Sequence, residues 1–132
     1  VSGVDFVQWL RDQLDIDAAR ATAAAEEDGP DWHYDGHAVI TRREGDLVAV
    51  GSQDFMESER GAFIAAHDPA RVLREIEAKR QLVERYERAM ENRRAHPDDL
   101  ASAGALLALH GAVKLLALPY ADRPGYREEW RP

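Results

Sequence analysis

The chain has 132 residues, 45% of them hydrophobic and 32% charged, which is enough apolar material for one folded domain and too much for disorder throughout. Twenty-five acidic against seventeen basic residues give a net charge of −8, which argues against nucleic acid and anionic lipid as partners. The absence of cysteine excludes a disulfide, a thiolate metal ligand and a cysteine nucleophile, and suits a cytoplasmic setting.

In chain order, the first residues, VSGVDF, lack a basic segment followed by an apolar run, so no secretion signal is expected. Asp5 and Gln8 have the spacing of a capping box, with aspartate in the place of serine or threonine, and predict a helix over residues 5–27. Phe6, Leu10, Leu14, Ala18, Ala21 and Ala25 share one face, large in the first half and small in the second. That predicts filled volume early and a close backbone approach later. Gly29 and Pro30 end the helix.

From Asp31 the period becomes alternating, which predicts a small antiparallel meander over residues 32–51. Asp35-Gly36 is expected to turn the first hairpin and pair Trp32–Tyr34 with His37–Val39. A second turn at Glu44 to Asp46 joins Ala38–Arg42 to Leu47–Gly51. A short helix over 55–66, reached through Ser52, Gln53 and Asp54, is expected to point Phe55, Ala62, Phe63 and Ala66 inward.

The longest element is predicted over residues 69–94. Asp68 supplies the N-cap and Pro69 the first helical position, where its missing N–H costs nothing. Val72, Ile76, Lys79, Val83, Tyr86 and Met90 then form an apolar seam with one charged interruption, widened by Leu73 and Leu82. Arg71 and Glu75 head a series of opposite charges four residues apart on the outer faces. At ~1.5 Å per residue the rod measures about 40 Å, so another helix or a second copy of the chain is needed to cover it. His96-Pro97 ends it, and Asp98 or Asp99 caps a final helix over 100–118, apolar nearly all round except at Ser102, His110 and Lys114. Burial from several sides is the expectation for such a helix. A membrane span is disfavoured by His110, Lys114 and the missing basic flanks. Residues 119–132, with three prolines and a glycine, should wrap the surface, anchored by Tyr120, Tyr126 and Trp130.

The pieces HDPARVLREIEAKR (His67–Arg80) and LLALPYADRPGYREEWRP (Leu115–Pro132) resemble the signature blocks of a small domain family of unknown function found in actinobacterial chromosomes and in phage genomes. The order of N-terminal helix, DWHYDGHAV-like strands and central helix extends the likeness over most of the chain. The family has no established activity, so the resemblance implies none. In many relatives the connection between the blocks is rich in cysteine and histidine, which implies a metal-holding loop. Here that stretch is NRRAHPDDLASAGALLALHGAV, without cysteine, and the apolar helix stands where the metal loop would be.

Three constellations are candidates for a site. His33, His37 and His67 have the donor type for a metal, and His67-Asp68 is the doublet of metal-dependent phosphohydrolases, although Asp68 is accounted for by capping. Glu84, Glu87 and Glu91 lie on adjacent helical turns, as magnesium-holding carboxylates do in all-helical pyrophosphohydrolases, but they are interleaved with Arg85 and Arg88 as on a solvated face. Trp32, Tyr34 and Trp130 would flank a cleft between the meander and the last helix. No glycine-rich phosphate loop and no Gly-x-Ser-x-Gly elbow is present.

Taken together, the sequence predicts a single mostly helical α+β domain of about four helices, with a two- or three-stranded meander between the first and second. The functional expectation is a non-enzymatic interaction or accessory protein without cofactor, self-associating through the long helix or the 100–118 helix. It acts in the cytoplasm, with no nucleic acid or membrane partner. The alternative is a metal-dependent hydrolase or binder of a small phosphorylated molecule, using the glutamates or the histidines above.

Overall fold

The computed structural model describes residues 3–132, residues 3 and 4 by their backbone alone. It has the expected class: mostly helical α+β, with a three-stranded antiparallel sheet between the first two helices. The elements are α1 (Gly3–Asp28), β1 (Trp32–Tyr34), β2 (Ala38–Thr41), β3 (Leu47–Val50), α2 (Ser58–Ala66), α3 (Pro69–Ala95) and α4 (Leu100–Ala117). Short 3-10 turns follow at Leu118–Tyr120 and Glu128–Trp130. By packing, the chain forms two units: α1 up to Leu14 together with Glu77–Pro132, and Asp15–Ile76.

In the first unit the large residues of α1, Phe6, Leu10 and Leu14, are fully buried, as are Val83 and Tyr86 of the α3 seam and Val113 and Ala117 of α4. α1 begins at Gly3, two residues before the expected start. Asp5 therefore lies within the first turn, where its charge complements the helix dipole, and not at the cap position. Gln8 instead donates its side-chain amide to Asp12 (2.9 Å). The α3–α4 connection is tight: Asp99 caps α4 by accepting from the Ala101 N–H (3.1 Å), and the buried Ser102 hydroxyl lies between the Asp99 (2.9 Å) and His96 (3.2 Å) carbonyls. Further along, His110 stacks on Tyr86 (5.5 Å, 7° between planes), and Lys79 donates to the Tyr120 hydroxyl (3.1 Å). Partners thus step backwards along α3 as the chain steps forward through α4, which is the register of an antiparallel helical hairpin.

The C-terminal stretch is anchored by aromatic packing. Trp130 contacts Phe6 (5.1 Å) and Trp9 (5.3 Å), and Tyr126 meets Trp9 edge-on (5.5 Å). The Trp9 indole N–H donates to the Pro124 carbonyl (2.9 Å).

In the second unit Asp68 has two structural roles. One carboxylate oxygen accepts from the Arg71 N–H (2.9 Å), the predicted cap, and the other accepts from the Trp32 N–H (3.1 Å), which pins β1 to the start of α3. The Ala70 N–H adds a tie to the Pro30 carbonyl (2.9 Å).

The sheet runs β1-β2-β3, with Tyr34 opposite Val39 and Trp32 opposite Thr41. The first hairpin turns one residue later than expected, on Gly36 and His37, with Asp35 bonded to Ala38. Two facts account for the shift. The Asp35 carboxylate accepts from the His37 and Ala38 amides (2.8 and 2.9 Å), an Asx-type arrangement, and Gly36 supplies the positive φ of +103°.

α2 departs most from expectation. It starts at Ser58 because Phe55 (φ −139°, ψ 141°) and Glu57 (φ −58°, ψ 144°) are not helical, so the expected first turn cannot form. Phe55, Ala62, Phe63 and Ala66 all face solvent. The inward position belongs to Gly61, where a Cβ would collide with the Tyr34 ring. That ring is held by its hydroxyl, placed between the Met56 (2.6 Å) and Gly36 (2.9 Å) carbonyls. Helix and strand therefore meet across a glycine rather than a phenylalanine.

Candidate functional site

The most distinctive surface lies on α4. Leu100, Leu107 and Leu115 are 87%, 75% and 60% exposed, and Gly104, Ala105, Ala108 and Gly111 also face out. A Cβ on Gly104 or Gly111 would meet nothing within 4 Å. The burial expected on several sides is thus not found: one face is covered, at Ser102, Val113 and Ala117, and the other is bare. Its two titratable groups, His110 and Lys114, are half-covered, as are Leu106, Leu109 and Leu116, while Leu100, Leu107 and Leu115 point to solvent.

Burial, with a smaller contribution from Lys114, holds the His110 imidazole below its ordinary value of 6.5, and burial raises the Tyr86 phenol on which it stacks. The segment Leu100–Tyr120 is long and apolar enough to cross a membrane by length and composition, and 17% of its most apolar window is buried.

The outward stripe has an internal symmetry. Leu100, Gly104, Leu107, Gly111 and Leu115 alternate large and small at spacings of four, three, four and four. The order of residue types reads the same in either direction along the helix, none of the five is charged, and Lys114, seven residues after Leu107, borders them.

The residues singled out as metal or catalytic candidates do not converge. Glu87 forms a two-pronged ion pair with Arg11, one arm at 3.0 Å and the other the contact between Arg11 Nη2 and Glu87 Oε1. Glu91 pairs with Arg94 (3.1 Å), and Glu84 is exposed. His33 sits in β1 opposite Ile40, so it does not face His37 across the turn. His37 meets the Phe55 ring edge-on (6.2 Å), and His67 lies against Phe63 (4.4 Å). The Ala38 and His37 amides, and then the two histidines His37 and His33, hold the Asp35 carboxyl below its ordinary value. Among the described residues no three histidine, cysteine, aspartate or glutamate side chains form a group that could hold a metal ion.

Trp130 belongs to the aromatic core of its own unit at 6% exposure, so it does not stand at the mouth of a cleft. Tyr34 is occupied by its two carbonyl partners. Trp32 and His67 are brought together, on one hollow of the second unit. The outward stripe of α4 was readable in the sequence as a spacing; what the spacing lacked was the side on which α3 covers the helix.

These features define a small helical α+β protein whose clearest surface is an uncharged, outward-facing helical stripe. The chain belongs to the family of unknown function DUF6221, which it matches over residues 3–132. No curated protein and no solved structure matches it.

Proposed function

We propose that the protein is a non-enzymatic interaction or accessory protein that self-associates through the outer face of α4. The observation that carries this reading is the exposure of Leu100, Leu107 and Leu115 on the side of the helix opposite its buried residues Ser102, Val113 and Ala117. A two-fold interface requires each surface to complement itself. In an antiparallel pairing centred near Leu107, Leu100 would approach the partner's Leu115, and the glycines would admit the neighbouring leucines. The stripe residues themselves are uncharged, and the half-covered Lys114 borders them.

Covering the three side chains removes roughly two leucines' worth of surface per protomer, about 3–6 kcal/mol. Set against the cost of association, this supports a dimer in the micromolar rather than the nanomolar range. The setting that fits is the cytoplasm of an actinobacterium or of a cell infected by its phage. It is supported by the resemblance of the blocks at His67–Arg80 and Leu115–Pro132 and by the cysteine-free composition.

Sedimentation velocity from about 1 to about 500 μM tests the proposal. The expected result is a concentration-dependent shift from monomer to dimer, abolished by Leu107→Glu with the far-UV spectrum unchanged. A monomer at the highest concentration, a dimer indifferent to Leu107→Glu, or a protein that floats with uncharged phospholipid vesicles instead of dimerising would overturn it.

A further inference from the structure

The second unit contains a hollow of about 340 Å³ lined by Asp17, Arg20, Ala21, Ala24, Trp32, His67, Pro69 and Val72. Its origin lies in the sequence. The face of α1 that carries Phe6, Leu10 and Leu14 in its first half carries alanines in its second, and there the small side chains leave volume unfilled. Trp32 cannot swing in to fill that volume. Its backbone N–H is held by Asp68 (3.1 Å) and its indole N–H by the Gly29 carbonyl (3.0 Å), so the indole is a fixed wall. A hollow formed before any ligand arrives costs little reorganisation on binding.

The rim has a different character. The Arg20 side chain is 73% exposed and only loosely paired with Asp17 (3.7 Å), whose own side chain is mostly covered at 23%. His67 directs Nδ1 to the Phe63 carbonyl (2.8 Å), so that N–H donates and Nε2 remains outward for a ligand. The hollow therefore combines an aromatic wall, an aliphatic floor from Ala21, Ala24, Pro69 and Val72, and an edge where the exposed Arg20 guanidinium stands beside the mostly covered Asp17 carboxylate.

We infer that this hollow binds a small aromatic carboxylate of one or two rings. The ring lies against the Trp32 indole, the carboxylate pairs with Arg20, and a polar group at the other edge reaches His67 Nε2. The volume is at the small end for ligand sites, about 300–1,000 Å³, which excludes a nucleotide-sized molecule. The inference goes beyond self-association and does not rest on it.

Indole-3-acetate and its neutral amide serve as probes, read by the indole N–H resonances of the three tryptophans. The acid should move the Trp32 resonance saturably, with a dissociation constant on the order of millimolar, and leave those of Trp9 and Trp130 in place. The amide should bind about fivefold more weakly, the value of one exposed ion pair. Arg20→Ala should bring the acid down to the level of the amide, and Ala24→Leu, which fills the hollow, should abolish both. A Trp32 resonance that does not move, equal affinity for acid and amide, or indifference to Arg20→Ala or Ala24→Leu would overturn the assignment.

Discussion

Asp68 is the residue whose removal has the most calculable effect. Its carboxylate accepts the Arg71 N–H at 2.9 Å and the Trp32 N–H at 3.1 Å, so Asp68→Ala removes a helix cap and a tertiary tie together. Loss of an N-cap costs about 1 kcal/mol. The Trp32 amide belongs to a half-buried residue, and leaving it without an acceptor adds a further ~1–2 kcal/mol, towards the lower end of the range for an orphaned donor. The sum is about 2–3 kcal/mol. Asp68→Ser separates the two terms, because a serine hydroxyl still caps the helix but offers only one oxygen, so about 1 kcal/mol is expected. The tie from the Ala70 N–H to the Pro30 carbonyl (2.9 Å) persists in both variants and keeps the two segments together. Urea denaturation followed by far-UV circular dichroism gives the free energies, with the denaturant slope expected to stay constant. An alanine variant within about 0.5 kcal/mol of the parent, or a serine variant as unstable as alanine, would refute the division of labour between the two oxygens.

The remaining predictions concern single contacts. The Tyr126 hydroxyl is buried without a hydrogen-bond partner, so Tyr126→Phe should stabilise the protein by up to about 1 kcal/mol, seen as a higher melting temperature; a loss of that size would mean the hydroxyl is satisfied. Gly61→Ala gains about 1 kcal/mol of helix propensity but drives a methyl into the Tyr34 ring, so a net loss of about 1–2 kcal/mol is expected in urea, and an unchanged midpoint would contradict the close approach of α2 to β1. For His110, burial and then Lys114 place the native value below 6.5. The unfolded chain therefore takes up its proton first as pH falls: the contribution is complete above about 6.5 and is lost as pH drops through the lowered native value. Melting temperatures from pH 7.5 to 5 should fall less for His110→Gln than for the parent, and identical slopes would remove His110 as a source of acid sensitivity.

The parts of the fold legible in the sequence are those set by local chemistry. Asp68 and Pro69 fix the start of α3 because a cap and a first-turn proline act within one turn, and the Val83 and Tyr86 seam is buried because a single helical period selects a single face. The same local reasoning misplaced α2 and the first hairpin. Phe55 and Phe63 carry the apolar signal, yet Gly61 carries the packing, because the bulk at that contact comes from Tyr34 on another element. Likewise Asp35-Gly36 marks a turn correctly, but the side-chain acceptor of Asp35 moves it one residue on. In the first case the deciding group lies on another element, and in the second it lies inside the motif but acts through its side chain, which the backbone turn pattern does not weigh.

The candidate surfaces follow the same division. An apolar helix such as α4 announces that something covers it, and composition alone assigns that role to the rest of the chain. The sequence does contain the evidence against this, since Leu100, Leu107 and Leu115 share one side of the helix and Ser102 lies on the other, with His110 and Lys114 on the flank between them. The side that faces the rest of its unit is marked by the His110 ring on Tyr86 and by the buried Ser102, Val113 and Ala117. With that side fixed, Leu100, Leu107 and Leu115 are left exposed. The helix thus has one face that serves its own hairpin and one, at Leu100, Leu107 and Leu115, that the proposed second copy would cover.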